Sequence, residues 1–88
     1  MSALSQCISE CRQCAGLFRL GRDVEAALTM VDLFDEAQRL LLEAPQDVQL
    51  KWTHVLTHML ACQERQDWLG LADFMEYELV DLLDSVQV

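Results

Sequence analysis

An all-α fold, an up-down antiparallel bundle of four helices at about residues 3–20, 24–43, 46–65 and 68–86, follows from three observations. Apolar residues recur at the three-and-four spacing of a helix face almost from end to end. That spacing breaks at only three short places, around Gly21, Pro45 and Asp67. Alternation of apolar and polar residues never persists and β-branched residues are few, so no strand competes. Connections this short make successive helices antiparallel neighbours. The bundle closes either within the chain or by dimerisation, with two hairpins opening to pair with a second copy or to grip another protein.

In the first helix Leu4, Cys7, Ile8, Cys11, Cys14 or Ala15, and Phe18 share one face, and Ser2 or Ser5 supplies the capping oxygen. Leu20-Gly21 ends it, because glycine after a periodic run takes the left-handed C-terminal position. Asp23 and Glu25 then place negative charge where a second helix dipole favours it. Val24, Ala27, Leu28, Val31, Phe34, Gln38 and Leu41 are expected to form the inward face of that helix, widened by Met30, Leu33, Ala37 and Leu40. Ala44-Pro45 stops it, since proline disfavours helix at the preceding residue, and the same proline can open the third helix. There Val48, Trp52, Val55, Leu56, Met59 and Cys62 form the stripe. Asp67 is expected to cap the fourth, whose main stripe is Trp68, Leu71 or Ala72, Met75, Leu79, Leu82 and Val86.

The 88 residues predict a single domain, 1–88, near the lower size limit for folding without staples, and 52% apolar content is ample for its core. A net charge of −9 argues against nucleic acid, which requires clustered Lys and Arg; Arg12, Arg19, Arg22, Arg39, Lys51 and Arg65 are scattered. The same balance disfavours anionic membrane surfaces. Apolar runs of a few residues fall far short of the roughly 20 that span a bilayer, and the start of the chain lacks a basic stretch followed by an apolar one. The expectation is a cytoplasmic protein with no membrane insertion, whose four cysteines are thiols.

Three constellations bear on chemistry. Cys7-x3-Cys11-x2-Cys14 resembles the iron–sulfur motif of radical S-adenosylmethionine enzymes in spacing. Here it lies within a helical pattern, where four-then-three spacing puts all three thiols on a core face, and packing is the favoured reading. His54, His58 and Cys62, at four-residue intervals, can share zinc or copper, and with Cys7, Cys11 and Cys14 they define the alternative: a small thiol- or metal-binding helical protein. No cofactor is expected under the favoured reading. Asp73, Glu76, Glu78, Asp81 and Asp84 lack the cleft that sets catalytic carboxylates apart, and no nucleophile or phosphate-loop signature is present, so the chain is not expected to be an enzyme.

The segment from Glu64 to Leu83, with its polar break at Asp67-Trp68 and leucines at helical spacing among carboxylates, resembles the final helix of small bacterial proteins of the flagellar and type III export chaperone class. Gly21-Arg-Asp-Val-Glu-Ala-Ala-Leu28 is similar in style. The resemblance implies a binding module. Independently, the last helix carries more apolar residues than one face can hold. Leu69, Phe74, Tyr77, Val80 and Leu83 are therefore expected to face a partner, with Glu78 and Asp81 orienting a basic one. That partner is another protein or a second copy of the chain, the homodimer being the simpler expectation.

Overall fold

A computed structural model describes residues 2–86. The four helices are α1 (Ala3–Arg19), α2 (Asp23–Leu41), α3 (Gln46–Glu64), and a fourth built from α4 (Trp68–Asp73), a π-helical segment (Phe74–Leu79) and α5 (Val80–Ser85). The described residues contain no strand.

The helix ends follow from local chemistry. The Ser2 hydroxyl accepts from the Ser5 amide at 3.1 Å and caps α1. Gly21, at φ 77°, reverses the chain after α1; its amide donates to Phe18 O and that of Arg22 to Leu17 O, closing the carbonyls of the last turn. The same pair of bonds ends α3, from Gln66 to Gln63 O and from Asp67 to Cys62 O, but there the left-handed residue is Gln66, at φ 58°. Pro45 precedes α3 with its carbonyl accepting from Val48 and Gln49, while the Gln49 side chain donates back to Leu42 O and Ala44 O. Asp67 caps the fourth helix by accepting from the Gly70 amide at 3.0 Å. A Cβ on Gly70 would stand 2.3 Å from the Asp67 carboxylate, so glycine there leaves room for the cap.

The core is filled by Cys7, Cys11, Cys14, Ala15 and Phe18 of α1, by Trp52, Val55 and Met59 of α3, and by Leu71, Met75, Leu79 and Leu83 of the fourth helix. From α2 it takes Ala26, Met30, Leu33, Ala37 and Leu41. The α1 helix lies between α2 on one side and the fourth helix on the other, and α3 packs on the fourth helix. The fourth side of the bundle is thin: α2 and α3 touch chiefly where Phe34 meets the edge of Trp52 and the Trp52 indole donates to Gln38 at 3.0 Å.

The inward face of α2 differs from the expected one. Ala27 and Phe34 are only partly buried, and Val24, Leu28 and Val31 point outward. The Cys14 thiol of α1 donates to Ala26 O at 3.4 Å, which sets the Ala26 side of α2, and not the Val24 side, against α1. The line Ala26, Met30, Leu33, Ala37, Leu41 also runs the full length of the helix without a polar residue. The line through Val24, Leu28 and Val31 reaches Asp35 one turn further on.

Candidate functional site

The fourth helix places its expected contact residues in two groups. Leu69 and Tyr77 are exposed, Glu78 and Asp81 stand in solvent, and Phe74 is half-buried with its ring stacked on His58 at 5.1 Å. Val80 and Leu83 are turned the other way: Val80 is 6% exposed and Leu83 0%, both within the chain's own core. Their assignment to an outward face is corrected by the π-helical segment. In an i→i+5 turn, residues five apart fall on one side, so Val80 follows Met75 inward beside Leu79, and α5 then presents both Leu82 and Leu83 to the core. Uniform helical spacing contains no such turn. The segment is held from outside by Arg19, which donates to Asp73 at 2.8 Å and pairs with Glu76 at 3.0 Å. Asp73, still largely exposed, and Glu76 are thus tied to α1. The bond to Asp73, strengthened by Glu76, raises the Arg19 pKa above its ordinary value, and a hydrogen bond to Glu76 does the same for Tyr77.

Between α3 and the fourth helix runs a groove of about 480 Å³. Lys51 and His54 line it from α3, Glu78 and Asp81 from the fourth helix, and Val55 and Leu82 are among its apolar lining. None of these charges is ion-paired among the described residues.

A more apolar surface lies on α2. Val24, Leu28 and Val31 are 77%, 69% and 60% exposed, and Leu20, just before α2, is exposed as well. At spacings of four and three the three α2 residues form one continuous stripe. Arg22 and Arg39, near its two ends, are engaged by Glu25 and Glu36 of the same helix. Asp32 and Asp35 have no ion pair among the described residues. Sequence reasoning missed this surface because it took the stripe for the core face. The signal that separates the two faces is Asp35, which continues the outer line, against the unbroken apolar inner line.

The thiols and imidazoles are not brought together. Cys7, Cys11, Cys14 and Cys62 are buried, whereas His54 and His58 lie on the exposed side of α3 with rings 4.6 Å apart. Among the described residues no group of three or more His, Cys, Asp or Glu side chains is arranged to hold a metal ion. The Cys11 thiol donates to Cys7, which lowers the Cys7 pKa and raises that of Cys11, and burial pushes Cys14 up to about 11. Cys62 accepts from Arg65 at 3.7 Å. Two of these thiols are thus held in the protonated form by burial or by donating a bond, and all four work as packing residues.

Among the described residues no helix is long and apolar enough to cross a membrane. Comparison with protein-family models, with curated proteins and with solved structures yields no match to this chain.

Proposed function

We propose that the protein is a non-enzymatic interaction module that docks another protein on its surface, in the manner of an adaptor or chaperone. The observation that carries this reading is the exposed stripe Val24, Leu28 and Val31 on a helix whose opposite face is fully used by the core. Isolated exposed leucines are ordinary on any protein; three large aliphatic residues on one line of one helix are a docking edge. Leu69 and Tyr77, with Glu78 and Asp81 beside the α3 groove, form a smaller and more polar surface on the fourth helix, which suits a secondary contact.

The test uses three immobilised forms of the full chain: wild type, Leu28→Asp and Tyr77→Ala. Partners retained from the native cell by wild type and by Tyr77→Ala, and lost with Leu28→Asp, support α2 as the docking edge. Circular dichroism confirms that all three remain helical. A retained set indifferent to Leu28→Asp removes the basis of the reading.

A further inference from the structure

The outer face of α2 has a charge as well as a shape. Its two arginines are neutralised within the helix, Arg22 by Glu25 and Arg39 by Glu36. Asp35 stands at the end of the Val24–Leu28–Val31 line and Asp32 stands beside it, both exposed and, among the described residues, without ion pairs. On the α1 side, Asp32 shares a hollow with Glu10, which adds a further carboxylate along the same flank. The chain as a whole carries −9. The surface is an apolar strip about 10 Å long, the rise of two helical turns, rimmed on one side and at one end by uncompensated carboxylates.

We propose that this face seats a basic amphipathic helix of another protein. Its apolar residues, at three-and-four spacing, lie against Val24, Leu28 and Val31, and its Lys or Arg side chains reach Asp32 and Asp35. Desolvating the aliphatic strip supplies affinity, and the carboxylates select a cationic partner over a neutral or acidic one. A second copy of this chain fits badly. Antiparallel pairing about Leu28 sets Val24 of one copy against Asp32 of the other, and parallel pairing sets Asp35, on the contact line, against Asp35. An anionic membrane surface is repelled by the same carboxylates.

This inference rests on the docking role of α2 and is tested separately from it. The probe is a designed helical peptide of roughly 15 residues, long enough to hold helix, with leucines along one face and lysines flanking them. A control peptide carries Glu at every Lys position. Amide resonances of the full-length protein are followed during titration. The expected result is that the lysine peptide shifts Val24, Leu28, Val31, Asp32 and Asp35 and the Glu peptide does not. Leu28→Asp weakens binding roughly tenfold or more. The double change Asp32→Asn with Asp35→Asn weakens it and flattens its dependence on salt. Equal binding of the two peptides at α2 overturns the cationic partner while leaving α2 as a docking edge. Shifts confined to Lys51, His54, Glu78 and Asp81, binding of neither peptide, or a dimer in sedimentation that Leu28→Asp dissolves, each overturn the proposal. Failure of the cell-capture experiment as well removes the docking role itself.

Discussion

The α2 helix and the fourth helix begin from the same condition, an apolar content too large for one helix face, and resolve it in opposite ways. The fourth helix changes its winding. A π-helical segment at Phe74–Leu79 brings Val80 and Leu83 into the core, leaving Leu69 and Tyr77 as the large side chains still exposed. The α2 helix keeps regular winding, commits the line from Ala26 to Leu41 to the core, and leaves Val24, Leu28 and Val31 in water. Excess apolar residues in a helix therefore do not identify a docking surface by themselves. What separates the two helices is their neighbours: α2 packs chiefly on α1, with Ala26 against Cys14, whereas the fourth helix is in contact with both α1 and α3.

Substitutions at matched leucines break or sharpen this contrast most strongly. Leu83→Ala is expected to lose about 2–5 kcal/mol of folding stability through the cavity it leaves, and Leu28→Ala to change it by no more than about 0.5 kcal/mol. Urea denaturation of the two variants measures both values. Comparable losses would mean that both helices bury their leucines alike.

The α1–α2 contact has a pH signature. Cys14 ionises near 9.0 when unfolded and about 11 when folded. Below pH 9 both states hold the proton. Between 9 and 11 only the folded state does, so stability is full below pH 9 and declines as pH rises through 11, by about 3 kcal/mol for a shift of this size. Thermal midpoints recorded across that range should fall in the wild type and fall less in Cys14→Ala. Parallel curves would show that α2 does not shield this thiol.

Smaller effects are expected around the fourth helix. Gln66→Gly should stabilise the protein by up to about 1 kcal/mol, because a non-glycine residue is strained in the left-handed conformation, a cost that glycine's greater freedom when unfolded partly offsets. Arg19→Ala should cost less than about 1 kcal/mol, and less still in high salt, since its pairs with Asp73 and Glu76 are partly exposed. Both are read from denaturant midpoints, and a large loss for Arg19→Ala would make the clamp essential to the π-helical winding.

Much of the fold was legible in the residues because its punctuation is local. Gly21, Pro45 and Asp67 set three boundaries by their own backbone chemistry, and all four helices lie within one or two residues of the expected limits. Three features were not legible. Gln66 takes a conformation that sequence assigns to glycine or asparagine, and only the hydrogen bonds around it reveal the turn. The π-helical segment, in contact with both α1 and α3, is a change of winding that no uniform periodicity encodes. The rotation of α2 is set by its packing on α1, a tertiary property, although Asp35 on the outer line is a readable hint. The candidate surface followed the same division. Leu69, Tyr77, Glu78 and Asp81 stand outward as expected, Val80 and Leu83 do not, and the stripe that carries the proposed function had been assigned to the core.

The central claim is that the unfilled apolar surface of this chain lies on α2 and not on the fourth helix. Methyl relaxation by a soluble paramagnetic agent tests it most directly, because the effect depends on each methyl group's distance from solvent. Strong enhancement is expected for Val24, Leu28 and Val31, and protection for Val80 and Leu83. Protected α2 methyls together with strongly relaxed Val80 and Leu83 would contradict it.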